Sequence, residues 1–270
     1  MPCFSHRGIN FNFEVLGRGR PLVLCHGLTG DLSAPKELIG DLPGYQVIVY
    51  DARAHGQTSP LGDVEKLCFS YMADDLGALL GHLGIARAAV GGISMGAGVA
   101  ARFVIDRPER LSSLILIRPA WRDSPFPSNL ELPVLVARLF DEHGPTNWKA
   151  AFERHPLVQK IRAVEPQLIE TMQQQLDSPL AVERRARLVQ IPGDCPIQSW
   201  TEVSRLDLPA IVIGTHKDWL HPFEIAEAWA SRLPMAQLRE AATKSIDPPA
   251  HARDVRRLVK DFLVECDSLR

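Results

Sequence analysis

Ala88-Ala89-Val90-Gly91-Gly92-Ile93-Ser94-Met95-Gly96-Ala97-Gly98 decides how this chain is read. A short apolar run ends in a pattern of glycine, any residue, serine, any residue, glycine. An amphipathic stretch from Gly96 to Arg107 follows, stopped by Pro108, because proline cannot continue a helix. Strand, sharp turn and helix are thereby predicted in sequence. The glycines permit the tight turn and a close approach of helix to strand, while Ser94 is pushed into a strained, exposed position at the carboxyl edge of a sheet. Ser94 as an ordinary helix N-cap is the competing reading.

Outward from this segment, short apolar runs alternate with stretches of helical period, the pattern of layers around a mostly parallel sheet. Strands are predicted at Phe11 to Leu16, Pro21 to Cys25, Tyr45 to Tyr50, Ala88 to Gly92 and Leu114 to Ile117, with a helix over Tyr71 to Leu83. The alternation stops near Trp121, gives way to proline-punctuated helical segments, and resumes at Ala210 to Gly214. A helix from Pro222 to Leu233, a strand at Gln237 to Glu240 and a last helix from Pro249 to Glu265 complete the pattern. The fold class is α/β. Residues 1–120 and 197–270 are expected to form one core, and 121–196 a helical insertion serving as a lid.

Composition narrows the function classes. A formal net charge of −2 supplies no basic surface for phosphates, which excludes nucleic acid as an expected partner. The first ten residues lack an apolar segment and no run is long enough to span a bilayer, so the expected setting is cytoplasmic and away from membranes. Five scattered cysteines have neither disulfide nor zinc spacing. A small-molecule substrate is the expected partner, with no cofactor and no metal; the sequence leaves open whether copies of the chain associate.

A serine hydroxyl needs a base to take its proton and donors to stabilise an oxyanion. His26-Gly27-Leu28-Thr29-Gly30 follows the strand ending at Cys25. A glycine-rich loop there can aim the Leu28 N–H at developing negative charge, and the Met95 N–H stands at a helix N-terminus. His26 itself reads as a brace for this loop.

On these residues, together with Asp51-Ala52-Arg53-Ala54-His55-Gly56-Gln57-Thr58 after a strand, the chain resembles the α/β-hydrolase family, in particular its lid-bearing esterase-type members. The Asp51 to Thr58 segment is similar to a loop that is structural in that family, with Ala54 and Thr58 in place of its glycine and serine. The resemblance implies a central sheet flanked by helices and a catalytic serine, acid and histidine in that chain order.

Asp218, in the loop after the strand Ala210 to Gly214, is the expected acid, holding a histidine's tautomer and stabilising its cation. His216, Asp218 and His221 also have ligand spacing, but no further cluster supports a metal. The histidine departs from the family pattern. No histidine occupies the loop from Ala242 to Ala250, and the first afterwards is His251, placed by an Asp247 cap and Pro248-Pro249 in the opening turn of the last helix. A helix N-terminus disfavours imidazolium and so suits a resting base. His251 is the predicted base and His221 the reserve.

The expected chemistry is cleavage of an ester or related acyl bond of a small, partly apolar substrate through an acyl-Ser94 intermediate. Thioesterase, amidase and C–C bond hydrolase are variants of the same scheme. A non-catalytic small-molecule binding module is the alternative of another class.

Overall fold

The computed structural model describes residues 2–268. Eight strands form one sheet: β1 (Cys3–His6), β2 (Ile9–Gly17), β3 (Arg20–Cys25), β4 (Tyr45–Tyr50), β5 (Ala88–Ile93), β6 (Leu111–Ile117), β7 (Ala210–Gly214) and β8 (Ala236–Glu240). Their spatial order is β1-β2-β4-β3-β5-β6-β7-β8. The first two pairings are antiparallel and all those from β3 onward are parallel. Parallel neighbours need long crossovers, and helices α1 (Ser33–Ile39), α2 (Phe69–His82) and α3 (Met95–Asp106) lie in those of the first half.

Between β6 and β7 the described chain forms helices and no strand: α4 (Glu131–Arg154), α5 (Pro156–Arg162), α6 (Pro166–Gln173), α7 (Pro179–Glu183), α8 (Arg187–Gln190) and α9 (Trp200–Val203), with short 3-10 turns. Helix α4 is broken at Gly144, whose φ of 72° precedes Pro145; the residue before a proline is driven out of the helical region. Helix α10 (Phe223–Ala230) joins β7 to β8, and α11 (Pro248–Ser268) closes the chain.

The parallel strands are apolar on both faces because both are covered. Along β3, Val23 and Cys25 point into the layer of α2 and α3, whereas Leu22 and Leu24 point into the layer of α1 and α11. That alternation is the period of two inherent to a strand. Helix α11 meets the sheet with Val255, Leu258, Val259, Phe262, Leu263 and Cys266, spaced three or four apart as one helical face requires.

Two elements depart from the sequence reading. Strand β1 lies in a stretch read as a polar mix. Its pattern alternates, Phe4 being buried between exposed Cys3 and Ser5, and it sits at the sheet edge where only one neighbour must be satisfied. Helix α1 was not anticipated either, being seven residues long with a proline inside.

The turn around Ser94 is fixed by close contacts. A Cβ on Gly96 would lie 2.3 Å from the Cys25 carbonyl oxygen, and one on Gly92 would lie 2.4 Å from the carbonyl carbon of Gly96. Both obstacles are backbone, so neither yields cheaply. Gly96→Ala is expected to cost about 3 kcal/mol or more, a fall in Tm of roughly 6–12 °C for a chain of this size, measurable by calorimetry. An unchanged Tm would mean that α3 does not sit against β3.

Candidate active site

Ser94 follows β5 with φ 56° and ψ −109°, a backbone conformation that costs a non-glycine residue of order 1–3 kcal/mol. The surroundings enforce it. Its N–H donates to the Ile117 carbonyl at 2.9 Å, and its own carbonyl accepts from Ala97 and Gly98 at the start of α3. The side chain makes no capping bond to α3, so the serine stands at the N-cap position without doing a cap's work. Met95, the first residue of α3, presents an N–H that helix geometry leaves without an intrahelical partner.

The loop after β3 lies against this turn, since a Cβ on Gly27 would be 3.6 Å from the Ser94 Cβ. His26 holds the loop. Its Nε2 accepts the Ala52 N–H at 3.0 Å, which makes Nδ1 the protonated nitrogen, donating to the Gly27 carbonyl at 2.8 Å. Burial holds this imidazole below its ordinary range. His55 spans the Arg53 and Leu28 carbonyls at 2.8 and 2.9 Å, fixing the loop beside Leu28. Asp51 accepts from the N–H groups of Leu32 and Gln57 and from Asn12 Nδ2, each at 2.8 Å. Arg53 forms a buried two-pronged pair with Asp75 of α2, both contacts at 2.7 Å. Asp51, Arg53 and His55 are thus occupied in building loops.

Asp218 is buried beyond the end of β7. Its Oδ2 accepts from Arg118 Nε at 2.7 Å and from the Thr215 hydroxyl at 3.2 Å. Its Oδ1 accepts from the His221 N–H at 3.2 Å and lies 2.8 Å from His221 Nδ1. Arg118 Nη2, a donor only, lies 2.9 Å from the same nitrogen; because that group also has the Asp218 Oδ2 as acceptor, the ring proton is assigned to the Asp218 Oδ1 contact, which leaves Nε2 with its lone pair. Burial pushes the Asp218 carboxyl up, but the charges of His221 and Arg118 and the hydrogen bonds from both outweigh it and hold the group well below the usual carboxylate range. His221, fully enclosed, is itself lowered by burial.

His251 is buried in the first turn of α11. Asp247 caps that helix, accepting the Ala250 N–H at 2.8 Å. Ring Nδ1 lies 2.9 Å from the Ala242 carbonyl and donates to it, again leaving Nε2 as a base. Burial, then the charge of Arg118, push His251 down to about 4, against the Ala242 bond and Asp218, which act the other way. Asp218 and His251 share an electrostatic environment without a hydrogen bond between them; the carboxylate's partners are Arg118, His221 and Thr215.

Arg118 escaped sequence reasoning although its signal was present, a guanidinium directly after the unbroken apolar run Leu114 to Ile117. It stands at the tip of β6, between the strands bearing Ser94 and Asp218, with φ 48°. Its N–H donates to the Ile213 carbonyl at 2.7 Å. Glu165 joins the cluster from the helical segment, accepting the Trp219 N–H at 3.0 Å. A cavity of about 860 Å³ is walled in part by Asp218, Trp219, Glu165 and Phe223 but not by Ser94, so the cavity and the strained serine do not coincide. Among the described residues no three His, Cys, Asp or Glu side chains gather as a metal set, and no helix is long and apolar enough to cross a membrane.

A parallel sheet with a serine on a left-handed turn between strand and helix defines an α/β hydrolase. The chain belongs to that family, whose model, described as the alpha/beta hydrolase fold, matches residues 20–251. It is 27% identical to a putative non-heme chloroperoxidase of Synechocystis sp., over 94% of this chain and 95% of that protein. A non-heme chloroperoxidase of Kitasatospora aureofaciens is 35% identical over a shorter stretch, 38% of this chain and 37% of the relative's length. Among solved structures, a malate-bound thermophilic esterase of Thermogutta terrifontis superposes with a TM-score of 0.72 at 26% identity, covering 96% of this chain and 97% of that one. The enol-lactonase of Burkholderia xenovorans shares the fold, with a TM-score of 0.75 at 20% identity and coverage of 97% and 100%.

Proposed function

We propose that the protein is a serine hydrolase that cleaves an ester or related acyl bond of a small, partly apolar substrate through an acyl-Ser94 intermediate. The observation that carries this is the strained backbone of Ser94, held between the Ile117 carbonyl and the first turn of α3. Storing strain at a solitary serine has a purpose if it presents the hydroxyl to a substrate carbonyl. The N–H groups of Leu28 and Met95 then receive the oxyanion as the hydroxyl attacks.

His251 acts as base and then acid, its ring fixed through Nδ1 by the Ala242 carbonyl. Asp218 favours the imidazolium through its charge. A second base remains in contention because His221 makes the direct Asp218 contact, the usual means of orienting a triad histidine. The helices from α4 to α9 act as a lid. Arg184, just before α8, supports this by donating to the carbonyls of Gly56 and Thr58 at 2.7 and 2.6 Å, which ties the segment to the loop after β4.

Fluorophosphonate labelling and a series of p-nitrophenyl esters of increasing chain length test the reading. Labelling at Ser94 by peptide mass, with turnover of at least the short esters, is expected. A protein that neither labels nor cleaves any of them would be a binding module on this fold. The full-length likeness to a protein named as a chloroperoxidase favours one further assay, halide oxidation with added peroxide, run beside the ester series.

A further inference from the structure

Arg184 and Arg187 are both buried, at 4% and 7% exposure, and their environments differ in a way that separates two roles. Arg184 spends both terminal nitrogens on strong bonds to the Gly56 and Thr58 carbonyls. Arg187, opening α8, has only long contacts to neutral acceptors, 3.3 Å to the Arg184 carbonyl and 3.4 Å to the Gln175 amide oxygen. Its Nε is buried without any partner, as is that of Arg184, so Arg187 is the one of the two with no short hydrogen bond at any nitrogen. Among the described residues no carboxylate forms an ion pair with it, although nineteen such contacts are made elsewhere. A guanidinium taken out of water costs several kcal/mol unless an anion compensates it, and here the protein supplies none.

Its place narrows what would compensate it. Arg187 lies close enough to His26 and His55 for its charge to bear on both rings, and these two histidines brace the loop that packs on Ser94. The guanidinium therefore lies on the side of the helical segment that Arg184 ties to the loop after β4, toward the histidines that brace the Ser94 loop. Arg184 adds a second positive charge beside it, but both terminal nitrogens of Arg184 are committed to carbonyls, which leaves the Arg187 fork to match a carboxylate in two-pronged geometry.

We propose that Arg187 is a substrate-binding residue that receives a carboxylate carried by the substrate at a distance from the acyl carbonyl presented to Ser94. The preferred substrates are accordingly monoesters or lactones of dicarboxylic acids. This rests on the hydrolase reading above. Because Nε is sealed, engagement requires the α4–α9 segment to part from the core and close again, as lids do when substrate is admitted.

The test compares p-nitrophenyl hemiglutarate with p-nitrophenyl valerate, acyl chains of equal length with and without the carboxylate, in the native protein, Arg187→Met and Arg187→Lys. The native enzyme is expected to favour the anionic ester by about tenfold or more in kcat/KM, the scale of a charge-assisted contact. Arg187→Met is expected to bring that ratio to near one and Arg187→Lys to restore part of it. Glutarate is also expected to raise the Tm of the native protein, as any ligand of the folded state does. Glutarate-dependent stabilisation lost in Arg187→Met would uphold the site even if no ester were cleaved, in which case the hydrolase reading alone would fall. An unchanged ester ratio in Arg187→Met, or ester cleavage by a native protein indifferent to glutarate and to acyl charge, would overturn the proposal. Should Arg187→Met not fold, the native protein's preference and the lysine variant's reduced ratio decide it in the same way.

Discussion

Replacing Ser94 by alanine is expected to lower kcat/KM for the best p-nitrophenyl ester by about 10⁴-fold or more, with little change in Tm. The rate follows from losing the nucleophile, while the oxyanion donors Leu28 and Met95 still act on water's attack and leave a small remainder. Stability should hold because the side chain makes no capping bond and the turn is shaped by Gly92 and Gly96. Ser94→Gly sharpens the test. Glycine tolerates a φ of 56° without the steric cost, so this variant should be equally inactive yet more stable by about 1 kcal/mol, the low end of the strain stored by such a residue. Calorimetry and active-site titration together check both expectations. Retained esterase activity in either variant at matched purity would remove Ser94 from the chemistry.

The elbow was legible in sequence because its physics is local: two glycines and a serine between an apolar strand and a helix admit few backbones. Strands Tyr45–Tyr50 and Ala210–Gly214 were legible for the same reason, being short β-branched runs bounded by turn residues. His26 was readable as a brace, and its bonds to Gly27 in its own loop and to Ala52 in the loop after β4 show how it braces. Arg118 left a signal, a charge closing an apolar run, but its role was not readable, since its partner Asp218 lies 100 residues away and only the adjacency of β6 and β7 brings them together. Arg187 was hidden for a related reason. Nothing in a run of arginines tells which one is left without short hydrogen bonds; that depends on where the Gly56 and Thr58 carbonyls fall.

Replacing His251 by alanine is expected to lower kcat by about 10³-fold, within the range that general acid–base catalysis contributes, whereas His221→Ala should cost less than about tenfold in kcat and act mainly on stability. Losing the His221 ring strips Asp218 of one donor, a structural loss, yet leaves the backbone N–H of that position and Arg118 to hold the carboxylate. The pH profile separates the roles further. Catalysis needs the neutral imidazole, which for His251 persists until the pH falls through about 4, so kcat/KM should stay level from pH 7 to 5 and drop only near 4. Arg118→Met removes the second-largest influence holding that value down, and the acidic limb should move up toward 6.5. Folding must follow the same proton. A histidine lowered from 6.5 to about 4 contributes stability that is whole above 6.5, declines as the unfolded chain protonates below it, and is gone once the pH has fallen through 4. His251→Ala should accordingly flatten the dependence of Tm on pH across that window, while His221→Ala leaves the portion due to His251 in place. If instead His221→Ala abolished turnover and His251→Ala kept it, the Asp218–His221 contact would be the working dyad, and the histidine of α11 would be a buried support for the loop at Ala242.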